Sequence, residues 1–116
     1  MQQRADDALV VLVTAPDLPT ADRLAESLVG DRLAACVNLL DGVRSVYRWE
    51  GAVERGDEVL MVVKTTRERL AELEARIARE HPYEVPEVLA LAADHVSGPY
   101  LGWLRGAVSS APVSRG

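Results

Sequence analysis

Between Ala8 and Ala92 the chain switches between runs that are apolar at nearly every position and runs that are apolar at every third or fourth, and these switches divide it into strands and helices. Ala8 to Thr14 (ALVVLVT) is a β-branched run stopped by Ala15-Pro16-Asp17, which predicts a strand ending in a loop. Asp17 is placed to cap a helix. From Leu18 to Leu33 the residues Ala21, Leu24, Ala25 and Leu28 keep the i, i+3, i+4, i+7 spacing, with Asp22, Arg23, Glu26 and Ser27 on the other side. Extended patterning follows over Ala34 to Leu40, resumes after Asp41-Gly42 through Val43 to Trp49, and returns over Val53 to Thr65 after a turn at Glu50-Gly51. Arg55-Gly56-Asp57 is the expected bulge or turn in the returning arm. Thr65 and Glu68 have capping-box spacing, and Leu70, Leu73 and Ile77 form a helical stripe that stops at His81-Pro82. Pro86 holds Val85 extended, so Val85 to Ala92 reads as a fourth strand, and Ser97 to Leu104 adds a short terminal helix.

The order strand, helix, strand, strand, helix, strand predicts an α+β fold, the ferredoxin-like βαββαβ sandwich, with a long hairpin between its second and third strands. One domain over residues 8–106 is expected, with 1–7 and 107–116 as flexible tails. Two helices cover one face of a four-stranded sheet, so the other face of a monomer should turn polar. It does not. In the first strand Ala8, Val10 and Leu12 oppose Leu9, Val11 and Val13, and in the third Leu60 and Val62 oppose Val59, Met61 and Val63. A second protein surface is needed to cover the free face, which predicts an obligate oligomer.

Composition narrows the class. The net charge of −5, with the 13 basic residues spread through the chain, offers no basic face for phosphates, so nucleic acid is not an expected partner. No apolar run approaches the ~18 residues of a membrane helix, Met1 to Asp7 has no apolar leader core, and the single Cys36 cannot form an internal disulfide. A cytoplasmic protein without a membrane partner is expected.

Candidate chemistry concentrates in His81-Pro82-Tyr83-Glu84-Val85-Pro86-Glu87, an imidazole, a phenol and two carboxylates at a helix end. On a straight strand His81 and Glu87 stand about 20 Å apart and Glu84 and Glu87 face opposite ways, so one ion can gather them only across a bend or from a neighbouring subunit. The plainer reading is a helix stop followed by a strand start. Cys36 shares a face with Asn38 and reads first as a small buried side chain, although copper(I) favours its sulfur, with Met61, His81 and His95 as the other soft or imidazole donors. Lys64, the only lysine, ends an apolar strand, where it either snorkels or holds an anionic group. Tyr47 and Trp49 share one face near the hairpin tip and suit a subunit contact, while Tyr100 and Trp103 at i, i+3 suit packing onto the sheet. No nucleophile elbow, phosphate loop or dinucleotide fingerprint is present, so an enzyme is not expected.

Taken together, Leu33-Ala34-Ala35-Cys36-Val37-Asn38, Ser45-Val46-Tyr47-Arg48-Trp49-Glu50-Gly51, Val63-Lys64-Thr65, His81 to Glu87 and Tyr100-Leu101-Gly102-Trp103-Leu104 resemble the CutA divalent-cation-tolerance family, in order from about Val10 to about Trp103. The resemblance implies a tight homotrimer, similar in architecture to the PII signalling proteins, with long hairpins reaching across subunits and a role in tolerance to copper and other divalent cations. It also implies an intersubunit cleft drawn from Trp49, Lys64, Tyr83, Tyr100 and Trp103, and weak metal contacts from Cys36, His81, Glu84 and Glu87. No catalytic residue and no resident cofactor is implied, apart from copper or another divalent cation as a bound ion. A single cysteine departs from the cysteine and histidine set through which the family's copper binding is argued. Two alternatives stay open: a PII-like sensor of a small anionic ligand held by Lys64, and a non-catalytic scaffold that docks a partner protein.

Overall fold

A computed structural model describes residues 7–109. The chain runs β1 (Ala8–Ala15), α1 (Leu18–Gly30), β2 (Cys36–Trp49), β3 (Ala52–Thr66), α2 (Arg67–Glu80), β4 (Leu89–Ala92) and α3 (Gly98–Ala107). The strands lie in the order β2-β3-β1-β4 with every neighbouring pair antiparallel, which is the ferredoxin-like arrangement that the patterning predicts.

Asp17 caps α1 as expected, accepting from the Thr20 amide at 2.9 Å, and the hydrogen bonds from Thr20 hold its carboxyl below the ordinary range. The helix stops short of Leu33. Arg32 enters the left-handed region at φ 61°, and the amides of Arg32 and Leu33 close onto the carbonyls of Val29 and Leu28 at 3.1 and 2.8 Å. That stop seats Leu33 in the core. There Leu9, Val11 and Val13 of β1 and Val59, Met61 and Val63 of β3 meet Leu24 and Leu28 of α1 and Leu73 and Ile77 of α2.

The opposite face is set by register. Pairing places Cys36, Lys64, Val10 and Leu91 in one row, Asn38, Val62, Leu12 and Leu89 in the next, and Leu40, Leu60 and Thr14 in a third. Leu40, Leu89 and Leu91 on these rows are 46%, 53% and 48% exposed. One end of the face is covered within the chain: Leu101, Leu104 and Val108 pack with Ala8 and Ala35 in a second cluster. The residues of α3 that pack are therefore Leu101 and Leu104, not Tyr100 and Trp103, which are exposed. The buried Arg69 donates Nε to the Val108 carbonyl at 2.9 Å, and Arg32 donates to the Ala107 carbonyl at 3.3 Å, so two guanidinium groups meet the negative end of α3. Ala107 and Val108 thus belong to the packed chain rather than to a tail. Asp7 likewise pairs with Arg105 at 2.6 Å, and of the expected tails residues 1–6 and 110–116 lie outside the described residues.

The hairpin closes through Glu50 and Gly51, both at positive φ (49° and 83°), the signature of a two-residue turn that matches strand twist. Its irregularity lies on the outgoing arm. Arg55, Gly56 and Asp57 pair regularly with Val46, Ser45 and Arg44, whereas Asp41 and Gly42 together oppose Val59 alone. Gly42 at φ 79° supplies the left-handed residue that such a bulge needs, and Asp41 accepts its amide at 2.8 Å. An unbroken alternation from Leu40 would have carried Arg44, Val46 and Arg48 onto the free face. The bulge instead keeps Val43, Ser45, Tyr47 and Trp49 there, opposite Glu58, Gly56, Glu54 and Ala52.

The expected capping box does not form, because Thr66 rather than Thr65 precedes α2. Thr65 Oγ1 donates to the Leu33 carbonyl at 2.7 Å, tying β3 to the loop after α1, while the buried Thr66 hydroxyl finds no partner among the described residues. The two neighbours should respond to the same substitution with opposite signs. Thr65→Val is expected to lower stability by about 1–2 kcal/mol by orphaning a buried carbonyl, and Thr66→Val to raise it by about 1 kcal/mol by removing an unpaired hydroxyl at constant shape. Guanidinium denaturation midpoints of the two variants check this.

Candidate functional site

The segment after α2 is built on His81. Its amide donates to the Ile77 carbonyl at 2.9 Å and closes the helix, while its buried ring spans two bonds. Nε2 lies 2.7 Å from the Thr14 carbonyl, which can only accept, so Nε2 carries the proton; Nδ1 accepts the Tyr83 amide at 3.0 Å. The Tyr83 ring sits 4.6 Å from the imidazole, and its hydroxyl donates to Glu58 Oε2 at 2.8 Å. Burial first, then Glu58, pushes the Tyr83 phenol above its ordinary range, so it stays a donor at neutral pH.

Pro82 and Pro86 offer no amide to a ladder, so the expected strand from Val85 is reduced to β4 at Leu89–Ala92. Freed from strand alternation, Glu84 and Glu87 both reach one cleft between this loop and the base of the hairpin. Its volume is about 710 Å³, and its walls include Thr14, Ser45, Tyr47, Trp49, Glu58, Tyr83, Glu84, Val85 and Glu87. Among the described residues, no lysine, arginine or histidine lines it. Partial burial, then the charge of Glu58, raises the Glu87 carboxyl above its ordinary range.

The remaining expected site residues gather elsewhere. Lys64 Nζ donates to Asn38 Oδ1, and Cys36 Sγ lies 3.9 Å from the same oxygen. The Tyr100 and Trp103 rings meet at a tilt of 41° with centroids 5.3 Å apart, and the Tyr100 phenol is raised by burial and by its neighbour Cys36. Lys64 and Glu58 are six residues apart on β3, about 20 Å along the strand. The structure thus brings Trp49, Tyr83, Glu84 and Glu87 together, places Cys36, Lys64, Tyr100 and Trp103 at the other end, and commits both ring nitrogens of His81 to holding the loop. Among the described residues no three His, Cys, Asp or Glu side chains are arranged to hold one metal ion. Glu58 is the residue that sequence reasoning missed. Its signal was parity, since it lies on β3 in phase with Leu60, Val62 and Lys64.

These features define a class: small ferredoxin-like domains with an apolar sheet face left open and a long hairpin that borders a carboxylate-lined cleft. The chain belongs to the family of the CutA1 divalent ion tolerance protein, which matches residues 9–107. A relative from Thermus thermophilus, named divalent-cation tolerance protein CutA, is 46% identical over 83% of this chain and 93% of its own length. The solved structure of the divalent cation tolerance protein from Thermus thermophilus superimposes with a TM-score of 0.86 at 43% identity, covering 88% of this chain and 99% of that one. That of the periplasmic divalent cation tolerance protein CutA from Archaeoglobus fulgidus gives 0.85 at 33% identity, with coverages of 88% and 99%. Among the described residues of the present chain, no helix is long and apolar enough to cross a membrane.

The crowded carboxylates give a pH dependence. The folded chain holds a proton on Glu87 at higher pH than the unfolded chain does, so this group's contribution to stability falls as pH rises from its ordinary value of 4.5 through its raised one. Glu87→Gln is expected to remove that fall. The variant should be more stable than the parent near neutrality, with the difference shrinking toward acid, in urea midpoints measured across pH.

Proposed function

We propose that this chain serves divalent-cation tolerance as a cytoplasmic homotrimer, by holding cations weakly between subunits and without catalysing a reaction. The observation that supports the assembly is the free sheet face, whose rows of Val10, Leu12, Leu60, Val62, Leu89 and Leu91 are apolar and only partly covered by α3. An apolar surface of this kind favours burial against another copy. The number three rests on the motif resemblance, and the cytoplasmic setting on the single free Cys36.

A contact that joins Cys36 to Glu87 fits only between subunits. Cys36 pairs across from Lys64 and Glu87 adjoins Glu58, so these two candidate ligands are separated by about the same 20 Å within one chain. Two subunits are needed to bring a thiol and a carboxylate to one ion, and Glu84 stands beside Glu87 on the cleft wall. His81 serves this site by holding Tyr83, and through it Glu58. The second reading, an anionic ligand, keeps one favourable observation: Lys64, on the apolar rows, is held by the neutral Asn38.

Light scattering behind a sizing column should give three chains per particle, and Leu12→Glu should break the particle down. A well-folded monomer of the parent chain at micromolar concentration would overturn the assembly. Equilibrium dialysis against copper should show uptake that falls in both Cys36→Ala and Glu87→Gln. Absent uptake, or uptake unchanged in both variants, removes the metal reading.

A further inference from the structure

We propose that the cleft beside the hairpin takes an aliphatic polyamine, whose ammonium groups pair with Glu58, Glu84 and Glu87 and whose carbon chain lies against Trp49, Tyr47 and Tyr83. The inference goes beyond the metal reading above, sharing with it only Glu84 and Glu87, and it names a ligand class chosen by the cleft's own walls. At about 710 Å³ the space lies within the range of small-molecule pockets and is far larger than one metal ion requires.

Shape and charge agree. Tyr47 and Trp49 are 48% and 39% exposed, and the bulge at Asp41-Gly42 aims both toward the cleft side of the hairpin. Aromatic faces bind cations through their quadrupole and methylene chains through apolar contact, and Val85, 65% exposed on the opposite wall, adds apolar surface. Facing these walls are three carboxylates, with no cationic side chain among the described residues that line the cleft. Their placement suits a spread charge: among the described residues no three acidic or soft donors are set to share a single ion, whereas each ammonium of a polyamine needs only one or two acceptors. Tyr83 fixes Glu58 through Oε2, so this acceptor is oriented before a ligand arrives.

The test is isothermal titration calorimetry of the intact assembly with spermidine at constant ionic strength, with magnesium chloride titrated in parallel. Saturable spermidine binding is expected, weakened by about tenfold in Glu87→Gln and in Trp49→Ala and unchanged in Glu74→Gln, an exposed carboxylate of α2 away from the cleft. Glu87→Gln keeps the test open if Trp49→Ala does not assemble. No saturable heat, an unchanged affinity in Glu87→Gln, or displacement of spermidine by magnesium at equal ionic strength would overturn the proposal. Copper dialysis on the same preparation separates the two readings. Copper uptake without spermidine binding overturns the polyamine alone, and spermidine binding without copper uptake supports it while removing the metal reading alone.

Discussion

Two residues facing one, Asp41 and Gly42 against Val59, set the phase of the whole β2 arm beyond them. Strand side chains alternate with a period of two, so one inserted residue exchanges the faces of the whole distal arm. Below the bulge β2 shows Cys36, Asn38 and Leu40 to the open face, and above it Val43, Ser45, Tyr47 and Trp49. The aromatic pair consequently joins Glu58, which faces that side through the alternation of β3 itself, beside the loop after α2. Without the bulge that wall would carry Arg44 and Arg48, and three carboxylates would face two guanidinium groups rather than an open cleft. Gly42 is the residue that permits this, because its φ of 79° is one that most side chains rarely adopt.

The other wall depends on a chain of hydrogen bonds that begins in the core strand. The Thr14 carbonyl accepts from His81 Nε2, His81 Nδ1 accepts from the Tyr83 amide, and the Tyr83 hydroxyl donates to Glu58. The two bonds of the imidazole assign a donor and an acceptor nitrogen, and burial with Glu58 keeps the phenol a donor. A histidine used in this way is part of the scaffold. The acidic residues carried by its loop are left to face solvent or a ligand, and the burial that raises Glu87 is the cost of crowding it beside Glu58.

Most of the fold was legible because its elements differ in period. The β-branched runs of β1 and β3, the stripe of Leu73 and Ile77, and the Asp17 cap all specify local structure through nearby residues alone. The misreadings fall where two local signals compete. Arg55-Gly56-Asp57 looks like turn chemistry, but Gly56 keeps regular pairing while the left-handed Gly42 takes the bulge. Thr65 has capping-box spacing, yet a buried carbonyl at Leu33 claims its hydroxyl. The site was legible in part: Trp49, Tyr83, Glu84 and Glu87 do share a cleft. Parity could have put Glu58 on the open face, but its role comes from a partner 25 positions away, and no local spacing encodes the Tyr83 bond. His81 shows the reverse problem, since a histidine among carboxylates suggests a ligand until both of its nitrogens are traced to backbone atoms.

The open face carries its polar groups at its two ends and apolar rows between them, which limits what can cover it. Lys64 sits at one end with Asn38, next to Cys36, and the carboxylate cleft lies at the other. Burying an ammonium with only an amide oxygen as partner is expensive, so a covering surface must leave Lys64 access to water or bring it an anionic acceptor. The same surface must leave the cleft open or supply a cation to it. A second surface that is apolar throughout meets neither condition, whereas one with the same arrangement, apolar in the middle and oppositely charged at its ends, can meet both. Another copy of this chain has that arrangement. The charge pattern therefore favours self-association over docking of an unrelated apolar surface, and for a reason separate from the apolar area itself.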